Sequence, residues 1–354
     1  MSQNLYEKLF NEIDINDPFF DSLKADYKEF PDWFIKKKEN RAFVFYSTEG
    51  NLDGFLYLKI ENESIDYIEP AMPAIPRLKI GTFKINPHGT RLGERFLKRA
   101  FDIAIVNNIK QLYVTVFSKH VGLIELFSRY GFELIGKKET NNGIEGVYLK
   151  DLEKINGAVT LDYPRIPIKK DRHFALSLYP MWHSRLLPDS LLATEDASIL
   201  KDVSHTNSIH KIYLTSMDGV RSLLPGDTLL IYRTAQGGAA YFTSVITSVG
   251  VVEEFRHIGS FQNQEDFLSY CMPYSIFTQS ELIDFYRTKK YPYLIQFTYN
   301  LALTKRINRK LLIEEVGISS TAYSGFFNIT SDQFKKILTL STDYEKTHSL
   351  FYSS

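Results

Sequence analysis

One cysteine, Cys271, stands in a chain of 354 residues. Its solitude excludes an intramolecular disulfide and any multi-cysteine zinc site, and it fits a reducing compartment. Net charge is missing too. Forty-two Lys plus Arg balance 42 Asp plus Glu, so a polyanion site has to be a local patch rather than a global basic field. No apolar run approaches the ~18 residues of a membrane span. The segment from Met1 to Asp14 lacks the basic stretch and apolar core of a signal peptide. The expectation is a soluble, cytoplasmic protein. Repeats and low-complexity tracts are absent, and His173, His183, His205 and His210 show no metal-ligand spacing, so no structural metal is expected.

What is present is enough for two cores. Hydrophobic residues make up 44% and charged residues 24% of the chain, and the length corresponds to two domains at roughly 100–200 residues each. Phenylalanine (26) and tyrosine (22) are abundant against two tryptophans, a bias often found on recognition surfaces. The pattern predicts short helices over 4–13 and 19–28, then strands at 41–46, 54–60, 64–68 and 77–86. The period then changes. Phe96, Leu97, Ala100, Phe101, Ala104 and Ile105 form a helical stripe, followed by a strand at 112–117 and a short helix over 123–127 stopped by Gly131. Strands at 132–135 and 147–149 flank an Asn141-Asn142-Gly143 turn.

The chemistry-bearing unit is the strand 77–86, the loop from Pro87 to Leu92, and the helix opening at Gly93. A glycine-bearing turn into a helix leaves backbone amides unpaired and aims them, with the positive end of the helix dipole, at one point. That is an anion site, and Arg91 and Arg95 add charge beside it. Here the chain resembles the GNAT (Gcn5-related) N-acetyltransferase superfamily, whose pyrophosphate loop reads Arg/Gln-x-x-Gly-x-Gly/Ala. His88 stands at the Arg/Gln position, Arg91 at the central Gly and Gly93 at the last, with Gly89 a further glycine of the same kind. Phe127-Ser128-Arg129-Tyr130-Gly131-Phe132 resembles the superfamily's Phe-Tyr-x-x-x-Gly-Phe signature.

The resemblance spans about residues 35–150. It implies acetyl-CoA as cofactor, held by Ile85, Asn86, His88, Gly89, Thr90, Arg91, Leu92, Gly93 and Glu94. It also implies direct transfer of the acetyl group to an amine, with an oxyanion donor at Ile85 or Asn86. The superfamily often has a Tyr four residues before the Gly of that signature, to protonate the departing thiolate. That position is Phe127, which leaves Tyr130 as the nearby candidate acid. Glu69, His120 and Glu125 are the candidate bases.

The second half has another texture. Strands are expected at 174–178, 211–215, 228–232, 240–253 and 293–302, with helical segments at 264–270, 279–286, 309–315 and 331–339. Pro225-Gly226-Asp227 is a turn that pins the register of the apolar strand ending in Tyr232 and Arg233. This pattern resembles the PUA-like superfamily with its EVE and ASCH relatives, which implies a β-barrel that binds RNA or a modified base. Tyr232 and Tyr274 would stack a base; Arg233, Lys305 and Arg306 would contact phosphates.

The expected fold class is therefore α+β: a GNAT-like mixed sheet flanked by helices over 1–155, a linker over 156–172, and a PUA-like β-barrel over 173–348. The expected function is an acetyl-CoA-dependent N-acetyltransferase with an appended RNA-binding module. A non-catalytic nucleic-acid-binding or regulatory protein on a degenerate acetyltransferase scaffold remains the alternative. The acceptor amine is left open.

Overall fold

The computed structural model describes residues 5–47, 49–86, 91–187, 208–235, 240–321, 325–341 and 347–353. The chain forms two units, Met1–Lys154 and Ile155–Ser354.

In the first unit the elements run β1 (Leu5–Leu9), α1 (Asp21–Asp26), α2 (Phe30–Lys36), β2 (Arg41–Tyr46), β3 (Leu52–Glu61), β4 (Arg77–Ile85), α3 (Leu92–Val106), β5 (Gln111–Phe117), α4 (Val121–Arg129), β6 (Glu133–Thr140) and β7 (Gly143–Asp151). The strands form one mixed sheet in the order β1-β2-β3-β4-β5-β7-β6, in which β4 and β5 alone run parallel.

Both faces are covered, and the alternation along β3 explains how. Phe55 and Tyr57 point into an aromatic core with Phe10, Phe20, Phe30 and Phe34. Gly54, on the other face, gives α3 room, since a Cβ there would meet Leu92 and Phe96 at 2.8 Å. The stripe read from the sequence (Phe96, Leu97, Ala100, Phe101 and Ala104) is buried as α3.

Two expectations in this unit fail. In the stretch 4–13, expected to be helical, Leu5–Leu9 form β1 and only Phe10–Glu12 make a single 3-10 turn, because the free edge of β2 takes up Leu5–Leu9 in antiparallel register, Leu5 opposite Phe45. Tertiary pairing outweighs weak helix propensity here. The strand expected at 64–68 shrinks to one bridge between Ile65 and Met72.

The second unit contains α5 (Val159–Asp162), β8 (Ile166–Ile168), β9 (His173–Leu178), α6 (Pro180–Leu186), β10 (His210–Thr215), β11 (Thr228–Arg233), α7 (Ala240–Thr243), β12 (Val245–His257), α8 (Gln264–Cys271), α9 (Gln279–Thr288), β13 (Tyr293–Asn308), α10 (Arg309–Glu314), β14 (Phe326–Ile329), α11 (Ser331–Ser341) and β15 (Phe351–Ser353). Residues 156–172, read as a linker, therefore hold α5 and β8, and β8 pairs with β15. The strand expected from 240 starts at Val245, after the turn of helix α7.

The main sheet has the order β10-β13-β12-β11-β9-β14. The expected barrel is not closed: among the described residues no ladder joins β10 to β14. The reason lies in how the faces are buried. Leu229 and Ile231 face a core with Phe267, Leu282 and Phe285 of α8 and α9. Leu230 and Tyr232 face a core with Leu312, Phe334 and Ile337 of α10 and α11. A sheet covered by helices on both sides buries its apolar residues without wrapping onto itself. Among the described residues, no helix is long and apolar enough to cross a membrane.

Candidate functional site in the first unit

The parallel pair β4–β5 parts after a short contact. Arg77, Leu78, Lys79 and Ile80 pair with Gln111, Leu112, Tyr113 and Val114, and pairing stops there. Both strands continue, β4 against β3 as far as Ile85 and β5 against β7 as far as Phe117. The strands part beside a bulge, where Tyr57 stands opposite Thr82 but Leu58 opposite Ile80, leaving Gly81 as the extra residue. A bulge bends and twists the strand that bears it. Gly81 is needed because a Cβ at this position would lie 2.8 Å from the ring of buried Tyr57.

The unpaired stretch of β4 presents backbone amides to the gap. Asn86 N–H donates to Asp53 O at 2.9 Å, so Asn86–Asp53 is a hydrogen-bonded pair and Asn86 has no amide to offer a ligand. By the alternation of an antiparallel ladder, the pairs Gly54–Ile85 and Leu56–Phe83 turn their N–H and C=O groups away from each other. On β4 that direction is the β5 side. Ile85 and Phe83 are thus the residues whose amides face the opening.

The opening is a cavity of about 880 Å³. Its walls are Ile80 and 82–85 of β4, Val114–Val116 of β5, the start of α4, and residues of α1, α2 and the link between them that include Asp26, Tyr27 and Trp33. His120, the residue capping α4, donates from Nε2 to Asp26 Oδ2 over 2.9 Å, and Lys119 pairs with the other oxygen of Asp26. Tyr27 donates its hydroxyl to Glu145 Oε1 at 2.6 Å, and Lys138 pairs with the same carboxylate at 3.1 Å. Burial, reinforced by Glu145, raises the Tyr27 pKa far above that of free tyrosine, so the phenol stays protonated. Glu29 accepts two bonds from Asn142 Nδ2, at 2.8 and 2.9 Å, which hold its carboxyl below the ordinary range.

At one end of the cleft, α3 begins. His88, Gly89 and Thr90 lie outside the described residues. Arg91 is the N-cap of α3, with φ 53° in the left-handed region. Gly93 allows a close approach: a Cβ there would meet Leu126 Cδ2 at 2.7 Å and Ile85 Cδ1 at 3.4 Å. Leu126 and Ile85 both line the cavity. Leu92 is buried, and the buried carboxylate of Glu94 lies 3.6 Å from Arg91 Nη1 and 3.8 Å from Arg129 Nη1.

Of the four catalytic candidates, one lies on the cleft. His120 lines it, whereas Tyr130 is fully buried beside Phe101 and Phe127 is fully buried against Phe83 and Phe132. Glu125 is exposed on α4 and does not line the cavity. Glu69 is also remote from the lining. Its backbone bridges Lys137 in both directions and its side chain, 76% exposed, pairs with Lys137 Nζ at 3.2 Å. Sequence reasoning missed Asp26, Tyr27 and Glu145. Asp26 and His120 are 94 residues apart and Tyr27 and Glu145 are 118 apart, so no local spacing could announce either pair.

In the second unit the nucleic-acid candidates do not share an exposed face. Tyr232 is 1% exposed and packs edge-on to Phe327, and Arg233 is 5% exposed. Tyr274 is half-buried with its ring 5.1 Å from that of His210. Lys305 is exposed and Arg306 half-buried, toward the end of β13. The buried strand end that was to deliver Tyr232 and Arg233 to a barrel mouth is covered instead.

No family model matches the chain, and no curated protein matches it. Among solved structures it is similar to an ASCH protein of Zymomonas mobilis at 10% identity, over 49% of this chain and 100% of that one, with a TM-score of 0.33. It is similar to a GNAT family acetyltransferase of Elizabethkingia anophelis crystallised with acetyl-CoA, at 13% identity over 42% and 97%, TM-score 0.31. A GNAT superfamily phosphinothricin acetyltransferase of Sinorhizobium meliloti in complex with acetyl-CoA gives 13% identity over 43% and 89%, TM-score 0.31. These are low-identity likenesses of parts of the chain, and the site stands on its own geometry.

Proposed function

We propose that the first unit is an acyl-CoA-dependent N-acyltransferase that uses acetyl-CoA. The observation that supports it is the parallel strand pair that parts beside a bulge, turning the amides of Phe83 and Ile85 toward a lined cleft next to a helix N-terminus. The extended arm of a thioester cofactor fits between such strands. The start of α3, with Arg91 at its N-cap and Gly93 in its first turn, offers amides and helix dipole to a diphosphate.

The reaction is direct transfer. The acceptor amine loses a proton to His120, whose Nε2–H bond to Asp26 leaves Nδ1 as the basic nitrogen. The amine nitrogen attacks the thioester carbonyl, the developing oxyanion is met by the Ile85 or Phe83 amide, and the C–S bond breaks. With Phe127 apolar and Tyr130 buried, the thiolate departs without a side-chain acid and is protonated by water. A missing acid slows such a step by about 100- to 10,000-fold at most and does not abolish it.

Titration calorimetry with acetyl-CoA and with free CoA tests the reading. Saturable binding of both is expected, with release of thiol on an amine panel. Binding without turnover would favour the degenerate scaffold that the buried Phe127 and Tyr130 suggest, and no binding at millimolar ligand would overturn the proposal.

A further inference from the structure

Three lysines line the cleft of the first unit, and two of them are held by carboxylates. Lys119 pairs with Asp26, and Lys138 with Glu145 at 3.1 Å. Lys84 has no carboxylate within ion-pair distance among the described residues. Its ammonium donates to Ser22 Oγ and lies 5.1 Å from the centroid of the Phe19 ring. It stands on the diverging part of β4, flanked by Phe83 and Ile85, the residues whose amides face the gap. Phe83 points toward α3 and α4, where it packs on Phe96 and Phe127. Lys84 points to the opposite face, toward α1.

We propose that Lys84 is a self-modification site, acetylated by a thioester held in the protein's own cleft. The inference rests on the acyltransferase reading above. Burial pulls the Lys84 pKa below the ordinary lysine value, with Asp26 and Asp21 acting in the opposite direction. More of it is therefore free amine than of an exposed lysine at the same pH. The ammonium gives up one proton to water or to His120, and its nitrogen attacks the thioester carbonyl. The C–N bond forms, the C–S bond breaks, one of the two protons left on the nitrogen passes to the departing thiolate, and free CoA thiol leaves while the amide keeps its N–H. No oxidant, reductant or further reactant enters. Proximity favours this amine over any in solution, because the encounter is already made. The product amide is neutral, which suits a half-buried position beside Phe19, and its carbonyl can accept from Ser22.

Peptide mapping by mass spectrometry of the full-length protein, before and after incubation with acetyl-CoA, tests the site. One acetyl group at Lys84 is expected, at a rate independent of protein concentration and at least about tenfold above the mean of exposed lysines. The variant Lys84→Arg should gain no acetyl group in the cleft while still binding acetyl-CoA by calorimetry. If acetyl-CoA binds and Lys84 stays unmodified, or if exposed lysines react as fast, the site is refuted while the acyltransferase reading stands. If acetyl-CoA does not bind, both fall, and the calorimetric trace separates the two cases without relying on the variant.

Discussion

His120 and Asp26 make the sharpest residue-scale claim. If His120 takes the acceptor's proton, His120→Ala lowers kcat/KM by about 100-fold or more. Asp26→Asn, which keeps the shape but removes the charge, lowers it less, because the imidazole keeps a neighbour but loses the carboxylate that orients its Nε2–H. An unchanged kcat/KM in Asp26→Asn would exclude the dyad. Tyr27 makes a separate claim. Its hydroxyl ties α1 to β7 through Glu145, so Tyr27→Phe leaves one oxygen of a nearly buried carboxylate short of a donor. A loss of about 1–3 kcal/mol in urea unfolding is expected.

The elements show where sequence was informative. Every helix forecast between 264 and 339 formed within a few residues of its expected span, because apolar spacing and capping residues such as Asn263 and Thr278 are local signals. The order strand, loop, helix, strand, helix around α3 was legible for the same reason. The parting of β4 from β5 was not. It depends on Gly81 facing Tyr57, a residue of a neighbouring strand whose register a single sequence does not reveal. The acidic half of the site was hidden likewise, since Asp26 meets His120, and Glu145 meets Tyr27, only through pairing of distant segments. A side chain at Gly81 tests the cause. Gly81→Val should drive Tyr57 from its packed position, cost about 1–3 kcal/mol by overpacking, and lower acetyl-CoA affinity. Unchanged affinity would separate the bulge from the cleft.

For the whole molecule, acid is the informative stress. His173 and His183 are fully buried in the second unit, and burial lowers their pKa values to about 4 and about 3. His183 is further opposed by Arg233 and Arg306. Both folded values lie below that of an unfolded histidine, so below about pH 6.5 the unfolded chain binds more protons than the folded one. Stability supported by these groups is complete above that pH and is lost as pH falls toward 4 and then 3. The amount is roughly 3 kcal/mol for His173 and roughly 5 kcal/mol for His183. Melting temperature measured from pH 7 to pH 4 should fall, and His173→Phe, which keeps the stacking on Phe334, should flatten the slope.

Glu69, which stands away from the cleft, has a consequence at this scale. β6 is the outermost strand of its sheet, and rows of open amides on such a strand invite a second copy to add on. Gly136 has no side chain, which lets the Glu69 carbonyl in, where a Cβ would stand 2.2 Å away. The loop then occupies both hydrogen-bonding groups of Lys137. Four of the strand's eight residues, Glu133, Lys137, Lys138 and Glu139, are also charged. A ribbon interrupted by its own loop and lined with like and unlike charges is a poor template for fibre growth, and so this border of the molecule resists stacking into aggregates.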